Sequence, residues 1–508
     1  MRETELKIVL DEAQERRLKE GLARSGLNAG APATDTLRSI YFDTHDHRLR
    51  EAGIALRLRE KAGGWVQTVK SGKSIASGLS KAMESECPVP GGELDIARIP
   101  DEKIREQILE SVKGARLAPV CESRIERKTY QISLPGGGEI ELAIDAGRIL
   151  AGERAEELRE AELELKTGEP SALYAAARKL FPEGGMQFST LSKAERGFLL
   201  AAEGRIMPPI APRNAQDVPL SRDQGAEDAA RAVLRECLDQ IAANMLAVRH
   251  ADAAEGPHQL RIGLRRLRAA FTIFRDCIPL QEGTRLKDQA RLLGRAVSRK
   301  RDLDVALSDV VRPEAAAHPG LRGFPALIDG LVQAGEAERR ALSATLTSAR
   351  AQGFLLDLAA FVETADWPGN GITCLGTVAD TALDKAWRRV KKRARGIESL
   401  SVEKRHELRK SVKRLRYTAE FLGPLYRQKK VKPFVRYLKA LQELFGELND
   451  AAMIQAMFEA PDAPAGGNPA AQRAAGLVIG IRTERAEHDW AEARYRWRAL
   501  KSAPRFWR

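Results

Sequence analysis

Aromatic residues are scarce in this sequence, at 5% of its 508 residues. That scarcity argues against a protein that works by stacking bases on rings. The five cysteines (Cys87, Cys121, Cys237, Cys277 and Cys374) are odd in number and scattered, and no two form a C-x-x-C pair. They read as reduced, mostly buried thiols rather than a disulfide framework. The seven histidines are too few and too dispersed for a zinc centre. Long apolar runs are missing as well. No stretch of about 18 uncharged apolar residues occurs, so no membrane span is expected. The opening residues, MRETELKIVL, carry charge at alternate positions and do not form the apolar heart of a secretory leader. A cytoplasmic location is therefore the expectation.

What is present is charge, and it is unevenly placed. Through Arg205 the chain holds 32 basic and 34 acidic residues; of the 83 and 70 in the whole chain, 51 and 36 lie beyond. The whole excess of +13 thus comes from the C-terminal part. A locally basic domain calls for an anionic partner: nucleic acid, anionic lipid or polyphosphate. The length leaves room for about two to four domains. Residues 204–221 contain Pro208, Pro209, Pro212 and Pro219, which forbid helix and favour an extended connector. The division follows: an α+β domain over 1–203, a linker over 204–221 and an all-α domain over 222–500. Before the linker, short alternating segments such as IALRLRE and EAELELKTG are set between turns, with helices at 12–25 and 170–180. After it, apolar residues recur three and four apart, with loops expected at 313–323 and 462–470.

Residues i, i+2 and i+4 of a strand share a face. Glu3, Glu5 and Lys7 therefore point one way, and Thr4, Leu6 and Ile8 the other. Arg57 and Arg59 form a second same-face set, and Glu160, Glu162, Glu164 and Lys166 a third. Glu139 and Glu141 alternate with Ile140, Leu142 and Ile144, and Asp145 is read as closing that strand. Such alternation also fits a sheet with one wetted face. Charge of one sign gathered on single strands fits a concave interior better, with acids holding cations and bases holding an anion. Carboxylates without His or Cys suit a hard ion, Mg2+ or Mn2+.

At these residues the chain resembles the CYTH domains, the triphosphate tunnel metalloenzymes. Glu3-Thr4-Glu5-Leu6-Lys7 is similar to their E-x-E-x-K signature, Tyr41-Phe42-Asp43-Thr44 to a Y-F-D-T strand, and Leu56-Arg57-Leu58-Arg59 to an L-R-x-R strand. Lys70, Arg127, Asp145, Glu162, Glu164, Lys193 and Arg196 follow in the order of the later motifs. The resemblance implies an eight-stranded antiparallel tunnel with flanking helices. It implies a catalytic set of Glu3, Glu5, Lys7, Glu162 and Glu164. Metal ions would face Glu3, Glu5, Asp145, Glu162 and Glu164, and phosphates would face Arg57, Arg59, Lys70, Arg127, Lys193 and Arg196. Glu84 and Glu86 are further candidates on the acidic side. Glu160 and Lys166 stand nearer the strand ends, where side chains often leave a tunnel. His45 and His47 are read as solvated loop residues.

The C-terminal part contains a duplication. HQLRIGLRRLR starts at His258 and HELRKSVKRLR at His406, an offset of 148; LGRAVSRKRD from Leu293 and LQELFGELND from Leu441 keep that offset. On a helix, His258, Arg261, Arg265 and Arg268 share one face, as do His406, Arg409, Lys413 and Arg416. Two related basic stripes can line one groove. The paired H-x-x-R-x-x-x-[RK] pattern resembles the CHAD domain over about 222–500, which implies two pseudo-symmetric helical bundles that bind polyphosphate through these eight residues, with Arg266, Lys410 and Arg414 as flanking candidates. Asp302 and Asp450 are read as structural partners of Arg.

The expected activity is metal-dependent hydrolysis of inorganic triphosphate to pyrophosphate and phosphate, with the helical domain binding or tethering polyphosphate, and with polyphosphate granules as a place of association. Two alternatives stand beside it: a non-catalytic polyphosphate-binding protein, and a tunnel phosphatase for an organic triphosphate such as thiamine triphosphate. Nucleic acid is not an expected partner, because no known motif for it occurs.

Overall fold

The computed structural model describes residues 2–61, 64–134, 137–250, 255–367 and 373–508. They divide into two compact units, 1–210 with 347–365, and 211–346 with 366–508.

The first unit is built on ten strands: β1 (Arg2–Val9), β2 (Asn28–Ala29), β3 (Ala33–Asp43), β4 (Ala55–Lys61), β5 (Gly64–Ala76), β6 (Leu79–Pro88), β7 (Ala118–Ser133), β8 (Glu139–Ala151), β9 (Arg154–Thr167) and β10 (Gln187–Phe188). Eight of them close a ring in the order β1-β6-β5-β4-β3-β7-β8-β9, and β9 pairs back onto β1. Every pairing is antiparallel. Closure removes both sheet edges and turns one face of every strand inward. The helices α1 (Glu12–Arg24), α2 (Arg48–Glu51), α3 (Glu102–Val112) and α4 (Ser171–Leu180) lie outside the ring. Leu49, Ile104 and Ile108, for instance, pack on the outward Leu56 and Val69. Helix α5 (Lys193–Glu203) instead sets Ala194, Phe198 and Leu200 against Ile125 and Ile149, which share the inward face of β7 and β8 with Arg127 and Asp145. The barrel is therefore inside out relative to a packed β-core, with apolar residues outward under helices and charged residues inward.

Three sequence expectations need correction here. Strand β8 does not end at Asp145 but runs on to Ala151, so Asp145 keeps the inward alternation of Glu139 and Glu141. His47 is a loop residue but only partly wetted: it sits in the left-handed region at φ 58° and its ring meets Phe198 edge-on at 5.6 Å. Residues 313–317 of the expected loop at 313–323 belong to a short helix, Arg312–Ala317.

The second unit is helical: α6 (Ala226–His250), α7 (Glu255–Ile273), α8 (Leu280–Val305), α9 (Arg312–Ala317), α10 (Phe324–Thr347), α12 (Leu375–Arg393), α13 (Val402–Leu422), α14 (Gln428–Phe458) and α15 (Pro469–Ser502), with α11 (Ala349–Glu363) between α10 and α12. Shifted by 148 residues, α6, α7, α8 and α10 fall on α12, α13, α14 and α15. The duplication in the sequence is thus a duplication of a four-helix motif. Helix α11 has no counterpart. It belongs to the first unit, where Arg178 of α4 donates to the Gly353 carbonyl at 3.0 Å and pairs with Asp357. The core of the helical unit includes Leu303, Val311, Phe324 and Leu331, joined by Ile454, Ala471 and Val478.

Candidate functional site

The tunnel interior holds a cavity of about 430 Å³. Glu3, Glu5, Lys7, Arg57, Arg59, Lys70, Arg127, Glu162, Glu164 and Lys193 all line it. Strand register explains the convergence. Lys7 stands opposite Glu162 and Glu5 opposite Glu164 on the β1–β9 pair, and Lys70 stands opposite Glu84 on the β5–β6 pair. Lys193 enters from α5, whose first turn is set by a capping box between Ser192 and Glu195. Charge is unevenly placed around the ring. Every lining acid but Asp35 lies on the arc β8-β9-β1-β6, where Lys7 and Lys166 stand among them, whereas the charged lining residues of β4 and β5, Arg57, Arg59, Lys61 and Lys70, are all basic.

These side chains are not a wetted face. Glu5 is 4% exposed, Lys7 5% and Glu162 8%. Charges at that depth survive only when paired. Lys7 pairs with Glu162 and, at 2.8 Å, with Glu5. Arg127 grips Asp145 through two bonds of 2.8 and 2.7 Å and reaches Glu162 at 2.6 Å. Burial alone would raise the Glu162 carboxyl, but Lys193, Lys7 and Arg127 outweigh it and hold it well below the usual range. Glu5 is lowered in the same way, chiefly by Lys7 against its own burial. Arg59 is different. Burial and the neighbouring Arg57 bring its guanidinium down to about 10, and it has no carboxylate partner among the described residues, only Ser39 Oγ at 3.1 Å. An arginine left so is a ready anion site.

Two expected site residues lie behind the cavity wall. Asp145 is fully buried beneath Arg127 and Lys193. Arg196, one turn after Lys193 and 1% exposed, binds Ser189 Oγ at 3.0 Å and Glu160 at 3.4 Å. Asp145 supports Arg127 and Lys193, which face the cavity, and Arg196 acts one step further back, through the Glu160 that pairs with Lys193. Glu160 is likewise buried, whereas Lys166 lines the cavity and pairs with Glu164 at 2.8 Å. Glu84 and Glu86 line it too, with Glu141, Asp35 and Lys61. Asp35 escapes sequence reading because it stands alone among uncharged neighbours, whereas Lys61 continues the same-face alternation of Arg57 and Arg59 and could have been found by it.

The donor set fits a hard cation. Asp145, Glu160 and Glu162 offer oxygens within 4.8 Å of one another. Lys193 Nζ already sits among them, 2.7 Å from Asp145 and 3.1 Å from Glu162, so an ammonium balances that cluster. Glu3, Glu5 and Glu84 line the cavity itself but do not come together as closely. Burial raises the Glu3 carboxyl, and the charges of Glu5 and Glu84 raise it further against the pull of Lys70. A carboxyl group pushed up by like charges in a cavity is one that a divalent cation would settle.

In the helical unit, α7 and α13 pack together and bring the two stripes into one cluster. Burial, with Arg265, Arg409, Arg261 and Arg416 close by, pushes the Lys413 ammonium down to about 6. The same crowding lowers Arg265 and brings Arg409 to about 10. Buried Nε atoms of Arg265, Arg268 and Arg409 lack hydrogen-bond partners. Arg261 pairs with Asp302 at 2.9 Å, and Arg301 donates to His258 Nδ1 at 3.1 Å. His258 is lowered by burial and Arg301, and His406, which is exposed, by burial and Lys410. Arg268 stands toward Arg291 and Arg295 of α8, at the edge of the cluster. Arg301 was not among the expected residues, although it lies within the second repeated motif, just before Asp302.

A closed antiparallel ring of eight strands with a charged, carboxylate-bearing interior defines the tunnel class, and a duplicated helical motif follows it. The chain is a CYTH–CHAD protein: the CYTH domain model matches residues 1–198 and the CHAD domain model matches residues 232–459. An inorganic triphosphatase of Haemophilus influenzae is 29% identical over 168 residues, 33% of this chain and 46% of that relative, so the chain spans about half of its length. An uncharacterized protein of Mycobacterium tuberculosis is 27% identical over 83% of this chain and 81% of its own length. The crystal structure of a CHAD domain from the plant Ricinus communis matches 58% of this chain and 99% of that chain at 28% identity, with a TM-score of 0.50.

Proposed function

We propose that the tunnel hydrolyses inorganic triphosphate to pyrophosphate and phosphate with Mg2+ or Mn2+, and that the helical unit binds polyphosphate. The observation that carries the reading is the unevenly charged interior, with buried carboxylates facing a basic arc across one cavity. A pure anion clamp has no use for the acids. Arg57, Arg59 and Lys70 bind phosphate oxygens, Arg59 with no carboxylate to give up first. Glu3 and Glu5, with Glu84 and Glu164 beside them, would hold the divalent ion, which supplies charge neutralisation along the phosphate chain. Glu162, kept anionic, accepts a hydrogen bond from the water that attacks the terminal phosphorus in line. The P–O bond to the leaving pyrophosphate breaks as the new one forms, and the water's protons pass to the phosphate product and solvent. The scarcity of aromatic residues favours a bare phosphate chain over an organic triphosphate. In the helical unit, cations crowded together without enough acids support polyphosphate as the ligand. Competition tests this second part: polyphosphate is expected to resist displacement by duplex DNA at equal phosphate concentration, and displacement would contradict it.

A further inference from the structure

Two cavities flank the contact between α7 and α13, and the repeat offset maps one on the other. Arg266 corresponds to Arg414, Ala269 to Tyr417, Thr272 to Glu420 and Ile273 to Phe421. The first cavity, of about 370 Å³, includes Arg266, Tyr417, Glu420 and Phe421, and residues 214–218 of the linker run along it. That strap is tied down: the Gln216 amide donates to Glu236 Oε1 at 2.7 Å, and Asn244 bonds both the amide and the carbonyl of Arg213. Its charges are also settled. Arg266 stacks on Phe421 at 4.5 Å, and Arg416 pairs with Glu420 at 2.9 Å.

The second cavity, of about 490 Å³, is lined by the corresponding Ala269, Thr272, Ile273 and Arg414, and among the described residues no such strap is part of its lining. Here Arg275, Lys287, Lys385, Arg389 and Arg414 gather against a single acid, Asp276. None of the five pairs with a carboxylate among the described residues. Lys287 is half-buried, donates only to Thr272 Oγ1 at 2.8 Å, and is lowered by burial and by Arg268. Uncompensated cations around a cavity mark a place for a multiply charged anion. The rest of the wall specifies more. Thr272 and Thr418 donate to the carbonyls of Arg268 and Arg414 and keep acceptor lone pairs for a ligand hydroxyl, Thr381 adds a third hydroxyl, and Ile273, Val378 and Ala382 present methyl groups, while no aromatic ring is part of the lining. The volume exceeds what one phosphate needs, and nothing is there to stack a base.

We propose that this second cavity binds a phosphate ester: an anion with at least two negative charges on a small, hydroxyl-bearing organic body. The site is separate from the tunnel's chemistry, and it adjoins the α7–α13 arginine cluster through Lys287, beside Arg268, and Arg414, next to Lys413. Calorimetry on the full chain tests it, with inorganic phosphate, fructose 1,6-bisphosphate, long-chain polyphosphate and an acidic peptide carrying the sequence of residues 214–218. Fructose 1,6-bisphosphate is expected to bind once per chain, at least about tenfold tighter than inorganic phosphate. The double variant Lys287→Met, Arg389→Met is expected to weaken it by about tenfold or more, with polyphosphate binding and melting temperature unchanged. No saturable binding of the bisphosphate in the millimolar range overturns the proposal. So does tighter binding of the acidic peptide, which would make the cavity a peptide dock, or a parallel loss of polyphosphate binding, which would make it an extension of the polyphosphate track.

Discussion

Single residues in the tunnel carry two kinds of work, and substitutions can separate them. Glu5 faces the cavity with Lys7 as its ion-pair partner, whereas Glu162 holds Lys7, Arg127 and Lys193 together. Removing Glu162 leaves several buried cations undercompensated, at a cost of about 3–5 kcal/mol. Glu5→Gln is therefore the cleaner test of chemistry. It is expected to cut triphosphate turnover by roughly 10²–10³-fold while leaving polyphosphate binding intact; loss of both together in a folded variant would contradict separate sites. Lys413 gives a pH prediction. With its free-state pKa at about 6, it is mostly neutral at pH 7, and a bound polyanion raises that pKa. Binding then takes up a proton. Affinity is expected to fall as pH rises above about 6, by up to about tenfold per pH unit, and this contribution flattens below 6, where Lys413 is charged in both states. Lys413→Met should remove that slope in titrations at constant ionic strength. A slope that persists unchanged would assign the coupling to another group.

At the scale of elements, the inward set on β1, β4 and β9 is legible because alternation with period two needs no knowledge of partners. The apolar half, such as Leu6 and Leu58, reports on packing, and the charged half reports on the tunnel. Depth is not legible in this way. Asp145 and Arg196 carry the same side chains as their neighbours in the cavity, and only the packing of α5 against β7 and β8 puts them behind the wall. The duplicated stripes are legible for the same reason as the strands. Their convergence depends on how α7 meets α13, which the offset alone does not state. Closure also constrains backbone spacing. A Cβ on Gly147 of β8 would lie 2.0 Å from the Arg124 carbonyl oxygen of β7. Gly147→Ala is expected to cost about 1–3 kcal/mol and to lower the melting temperature of the tunnel unit. An unchanged melt would show that β7 and β8 yield at that point.

At the scale of the whole molecule, the chain order and the compact units do not coincide. Residues 347–365, after the first helical repeat, belong with the tunnel unit, and α11 covers α4 there. Leu355, Leu358 and Phe361 of α11 are buried, as are Leu173 and Ala177 of α4. A fragment ending at residue 210 is thus expected to be less stable than the tunnel in the full chain and prone to aggregate. Fusing residues 347–365 to it should restore the melting temperature. A 1–210 fragment as stable as the intact protein would contradict the assignment of α11. No helix among the described residues is long and apolar enough to cross a membrane. The central claim is tested most directly by phosphate release from the purified full-length chain. The substrates are inorganic triphosphate, long-chain polyphosphate, ATP and thiamine triphosphate, each with Mg2+ or Mn2+ and again after chelation. Fast turnover of inorganic triphosphate that chelation abolishes is the predicted result. No turnover of any of the four with polyphosphate still bound, or turnover indifferent to chelation, would contradict it.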